Sequence, residues 1–141
     1  MTKRIWVLVI VCLVGVLGFA VAESNQEAEK SAVAAAEAWL ELVDGGDYAK
    51  SWSEAASYLR GAVSKDTFEQ QMSAARNPLG KVLSREVKKT TYMTTAPGAP
   101  DGEYVVIQTD TSFENKKSAV ETITPMLDED GKWRVSGYFI K

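Results

Sequence analysis

At Asn77-Pro78-Leu79-Gly80 the sequence stops reading like helix and starts reading like sheet. Before that break apolar residues recur every three or four positions, and after it every second position. These are the spacings that a one-sided helix and a half-buried strand require. Helices followed by consecutive strands with short turns belong to the α+β class, in which the helices cover one face of an antiparallel sheet.

The helical half divides at its glycines and caps. Residues 26–44 are predicted as a first helix, with Val33, Ala36, Leu40 and Val43 as its inner stripe and Trp39 and Leu42 beside it. Gly45-Gly46 ends it, since glycine takes the left-handed conformation after a last turn at little cost. Asp47 is the expected cap of a second helix reaching about Leu59, with Tyr48, Trp52, Ala55, Ala56 and Leu59 on one side and Gly61 as its stop. Ser64 opens a third helix over 65–76, facing inward through Phe68, Met72 and Ala75.

Four strands are predicted beyond the break. Residues 81–95 form the first, and Pro97-Gly98-Ala99-Pro100-Asp101-Gly102 a turn. Residues 103–114 follow, with Val105, Ile107, Thr109, Thr111 and Phe113 on one face. The third strand, 118–127, contains Pro125, which requires an edge position or a bulge because proline cannot donate to the ladder. Asp130-Gly131 signals the last hairpin, and 132–140 complete the sheet.

Residues 1–22 stand apart. Lys3 and Arg4 precede an uncharged run from Ile5 to Ala22 that ends Ala20-Val21-Ala22, the pattern of a cleaved secretory signal peptide. The rival reading is an uncleaved anchor at the lower length limit of a bilayer span, in which case the membrane is a partner. Both export the rest, residues 23–141, as one domain. Cys12 lies inside the apolar run without a lipoprotein context, so removing the leader leaves 119 residues without cysteine. Such a domain holds together by its core alone. With no Asn-x-Ser/Thr acceptor either, the expected location is periplasmic or secreted.

Charge narrows the chemistry. The chain has no His, which excludes His-based catalysis and most zinc or haem ligation, and no cofactor is expected. With 16 Lys+Arg against 19 Asp+Glu it is acidic, a poor match for nucleic acid. Lys81, Arg85, Lys88 and Lys89 read as a solvated strand face, and Asp128-Glu129-Asp130-Gly131 as a hairpin turn, since it lacks the alternating ligands of a calcium loop.

Several stretches together carry a resemblance. They are Ala38-Trp39-Leu40, Gly46-Asp47-Tyr48-x-x-Ser51-Trp52, Pro78-Leu79-Gly80, Pro97 through Tyr104, and Gly131-Lys132-Trp133. Over essentially all of residues 30–141 they resemble a bacterial family of exported proteins known as domain of unknown function four-zero-one-nine. Three helices, a long first strand and a closing Asp130-Gly131-Lys132-Trp133-Arg134-Val135 hairpin resemble the nuclear-transport-factor-two-like, or cystatin-like, superfamily. The resemblance implies three helices packed in the concave face of a curved four-stranded antiparallel sheet, a cone, and a homodimer formed through that sheet. It implies no catalytic residues.

Two functions follow as expectations. The first is non-catalytic binding of a partner protein or a small apolar ligand, with Trp52, Tyr58, Tyr104 and Tyr138 lining the site through apolar rings with polar tips. The second is a lyase or isomerase that uses Asp110 or Glu121 as a buried base and a tyrosine as hydrogen-bond donor. Strand alternation argues against the second by sending both acids to the wet face, or into pairs with Arg85, Arg134 or a lysine. No metal site is expected.

Overall fold

The structure is a computed structural model that describes the backbone of residues 16–141 and side chains from residue 25. It has four α-helices, α1 (Val16–Asp44), α2 (Tyr48–Ser53), α3 (Ser57–Ala62) and α4 (Lys65–Arg76), then a 3-10 turn over Asn77–Leu79. Strands β1 (Val82–Met93), β2 (Tyr104–Phe113), β3 (Lys116–Leu127) and β4 (Trp133–Ile140) form one antiparallel sheet in chain order. The class is α+β, as the change of period predicts.

The helix count is four, not three, because the expected 47–59 helix breaks at Glu54–Ala56. Ala55 and Ala56 are both fully buried, and the Ala56 N–H leaves the helical ladder to donate to the Val135 carbonyl at 2.8 Å. Ala56 then occupies the cap position of α3 with no side-chain oxygen to offer. Asp128 substitutes from the sheet: its Oδ2 accepts from the Ser57 N–H at 3.1 Å and its Oδ1 from the Ser57 hydroxyl at 2.6 Å. We expect Asp128→Ala to cost about 1–2 kcal/mol in chemical denaturation, the usual worth of a lost cap, with exchange of the α3 amides accelerated first.

The other helix ends follow local chemistry. Ser64 Oγ accepts from the Thr67 N–H at 3.2 Å and opens α4, and Asp47 Oδ1 accepts from the Lys50 N–H at 3.2 Å and opens α2. Helix α1 begins at Val16 rather than 26, so it runs through the expected cut at Ala20–Ala22. Residues 1–15 of the expected leader lie outside the described residues. Among the described residues, no helix is long and apolar enough to cross a membrane.

The core lies between the helices and the inner face of the sheet. Ala32, Ala36, Trp39, Leu40 and Val43 of α1 pack with Val105, Ile107, Ile123 and Val135, joined by Leu59, Phe68 and Met72. A second cluster, Ala56, Tyr104 and Met126 with Met93, Ala96 and Ala99, lies under the long β1–β2 turn. Strand β3 is interior, so Pro125 is accommodated by the bulge between Thr124 and Pro125.

The start of β1 is clamped by the β2–β3 turn. The Glu114 N–H donates to Lys81 O at 2.9 Å, Glu114 Oε1 accepts from the Lys81 N–H at 2.7 Å, and the Asn115 N–H donates to Leu79 O at 2.9 Å. Gly80, at φ +74°, lets the chain enter this clamp, where an added Cβ would lie 3.0 Å from Glu114 Cβ.

Candidate functional site

At the end of the sheet nearest the β2–β3 turn, the inner face changes from apolar to polar. Thr109 and Thr111 continue the inward row of β2, and β3 sets Glu121 directly across from Thr109. Glu121 is 0% exposed. Its Oε1 accepts from Arg85 Nε at 2.7 Å and from Thr111 Oγ1 at 2.6 Å. Its Oε2 accepts from Arg85 Nη2 at 3.2 Å and from the Tyr138 hydroxyl.

Arg85, opposite Thr111 in the β1–β2 register, carries the network to the helices. Its Nη1 and Nη2 donate to Asp44 Oδ2 and Oδ1 at 2.7 and 3.0 Å. Asp44 ends α1, and its Oδ1 also accepts from Nη2 of Arg76, the last residue of α4, at 2.8 Å. Arg76 is only 4% exposed, and its guanidinium lies 5.0 Å from the centre of the Phe113 ring. Its Nη1 donates to the Tyr138 oxygen at 3.4 Å, which closes the circuit Glu121–Arg85–Asp44–Arg76–Tyr138. Two guanidinium groups face two carboxylates, so the set is neutral as a whole. It reaches from buried Glu121 and Arg76 through half-buried Arg85 to Asp44 at the surface, and this balance lets its inner charges be buried at tolerable cost.

The ionisation of each group follows from these contacts. Burial opposes charge on Glu121, but the hydrogen bonds from Arg85, Thr111 and Tyr138 outweigh it and hold the carboxyl below its ordinary range. Asp44 is likewise held low, with burial overcome by Arg85 and Arg76. Burial and the neighbouring Glu121 carboxylate push the Tyr138 hydroxyl above its ordinary value, so Tyr138 stays a donor.

A pH dependence follows. Carboxyls whose folded pKa is depressed contribute stability that is complete above the unfolded values, about 4, and is lost as pH falls through the folded ones. We expect the melting temperature to be level from pH 7 to about 5 and to fall steadily below about 4.5. A melting temperature that rises between pH 6 and 4 would mean that the two acids are protonated in the fold.

The other expected site residues do not converge with Glu121. Asp110 is exposed on the outer face of the sheet, 3.8 Å from Lys88 Nζ. Trp52 Nε1 donates to Val63 O at 2.9 Å, between α2 and the segment after α3. Tyr58 and Tyr104 secure the β1–β2 turn, donating to Gly98 O at 2.8 Å and Pro100 O at 2.5 Å. Tyr138 alone joins the circuit, with its ring edge-on to Trp39 at 5.3 Å. Arg85 leaves the expected solvated face because it shares the inward row with Val87, opposite Thr111 and Thr109. Asp128 and Asp130 of the closing hairpin are taken by Ser57 and Arg134. Among the described residues, no group of three or more acidic or cysteine side chains is placed to hold a metal.

Asp44 and Arg76 were not foreseen as site residues, although one signal pointed to them. An acid at the C-terminal end of a helix faces the negative end of the macrodipole and needs a cation there.

The space between α1 and the sheet is nearly filled. Among the described residues a small, partly open cavity of about 120 Å³ remains there, lined by Val33, Leu40, Ile107, Ile123, Arg85 and Val87. Larger grooves open to solvent flank β4. One, about 490 Å³, runs between α1, α2 and the start of β4, and another, about 430 Å³, between α3, α4 and the end of β4.

Residues 35–138, which include every member of the circuit, match a family model described as Protein of unknown function (DUF4019). No curated protein and no solved structure matches the chain.

Proposed function

The chain belongs to the DUF4019 family, and we propose that it is an exported binding domain for a small apolar or amphiphilic ligand, without catalytic chemistry of its own. The observation that carries this reading is the state of Glu121. Among the described residues it is the one acid fully enclosed on the inner face, with both oxygens occupied, and it is held ionised by Arg85, Thr111 and Tyr138. A general base needs a free lone pair within reach of substrate and a pKa near the working pH. Glu121 has neither, and Asp110 faces bulk solvent beside Lys88. These placements weigh against Asp110 and Glu121 as the base of a lyase or isomerase, while the grooves flanking β4 offer surfaces a ligand could occupy.

The proposal extends to architecture and location. Helices ahead of a four-stranded antiparallel meander, with α1 against its inner face, support the cystatin-like cone. The apolar run after Lys3 and Arg4 supports export to the periplasm or beyond.

Purifying the full-length gene product from the envelope of its own cells and examining it by native mass spectrometry tests the reading. We expect a non-covalent small molecule that organic solvent releases. Turnover of a small substrate that Glu121→Gln abolishes, with the fold intact by circular dichroism, would overturn it.

A further inference from the structure

The open groove between α1, α2 and the start of β4 combines an apolar floor with a cationic rim. Trp39 and Leu42 of α1 and Trp133 of β4 supply the floor, while Lys50, Lys132 and Arg134 stand at the rim against a single acid, Glu54. Arg134 is already neutralised by Asp128 and Asp130. Lys50 and Lys132 are exposed and form no ion pair among the described residues. Two ammonium groups without ion-pair partners among the described residues thus stand beside the apolar floor, in a rim whose charges otherwise balance.

Its volume of about 490 Å³ lies within the range of small-molecule sites, about 300–1,000 Å³. We infer that this groove binds a free amphiphilic monocarboxylate, its alkyl or aryl body laid on Leu42 and Trp133 and its carboxylate met by Lys50 and Lys132. The inference rests on the binding function proposed above and adds the charge and shape of the ligand. Apolar contact supplies most of the affinity through buried area. The lysines supply selectivity, because a carboxylate leaving water needs cations to replace its hydration while an alcohol does not.

Decanoate, decanol and decyltrimethylammonium, each below its micellar concentration, provide the test on the full-length chain, with calorimetry as readout. We expect decanoate to bind about tenfold more tightly than decanol, the scale of a charge-assisted hydrogen bond, and more tightly still than the cation. The advantage should shrink as salt is raised. Lys50→Glu with Lys132→Glu lies outside the buried circuit and should leave the melting temperature unchanged while abolishing the preference for decanoate. Equal binding of decanoate and decanol would overturn the inference but leave the proposed binding function in place. Absence of binding by all three would count against both.

Discussion

Glu121→Ala is expected to destabilise the fold by about 3–5 kcal/mol, because it deprives half-buried Arg85 of its buried partner and leaves the set with an excess positive charge rather than merely deleting contacts. Arg85 would lose its partner at 2.7 Å and keep only Asp44, and Tyr138 would lose its acceptor. Thr111 would face an empty polar space. The same reasoning makes the cost depend on what else is changed. Removing anion and cation together, as in Glu121→Leu with Arg85→Met, leaves the Asp44–Arg76 pair neutral. The double variant should therefore lie within about 1–2 kcal/mol of the parent. Urea denaturation of Glu121→Leu, Arg85→Met and the double variant reads this directly. Additive losses would show that Arg85 and Glu121 act independently, which their geometry does not allow.

Trp39→Ala is the second large effect, at about 3–5 kcal/mol. Trp39 is 3% exposed and joins three parts of the molecule. Its indole N–H donates to Ser51 O at 2.8 Å, fixing α2 on α1, and its ring meets Tyr138 of β4 at 5.3 Å and 63°. Alanine would leave a cavity beside Leu40 and Val135 and free Tyr138 to move off Glu121. Trp39→Phe keeps the aromatic contact and loses the donor, so we expect about 1–2 kcal/mol for that change. A loss below about 1 kcal/mol for Trp39→Ala in thermal or urea unfolding would mean that α1 is not anchored through this ring.

The layout of the fold was legible because it depends on local pattern. The Asn77–Gly80 break, the Ser64 and Asp47 caps and the Asp130-Gly131 hairpin are all encoded within a few residues. The split between α2 and α3 was not, because its causes come from the far half of the chain: Val135 O takes the Ala56 N–H and Asp128 caps Ser57. The bonds of Tyr58 and Tyr104 were hidden for the same reason, since nothing beside them names Gly98 O and Pro100 O as their partners.

The circuit was half visible. Thr109 and Thr111 fall on the apolar row of β2, which by alternation places polar groups inside. Continuing that logic to β1 and β3 turns Arg85 and Glu121 inward to meet them. The general expectation that strand charges face water obscured this, and it fails here because the charges come in balanced pairs.

The claim that Glu121 is a structural anion and not a base is tested most directly by its own titration. Carbon-13 labelling of the glutamate carboxyls and NMR from pH 8 to 3 would follow it, assigned by comparison with Glu121→Gln. We expect the Glu121 carboxyl to titrate below the ordinary value of about 4.3. A Glu121 that takes up a proton above about pH 6 in the intact protein would contradict this and return the acid to the place of a catalytic base.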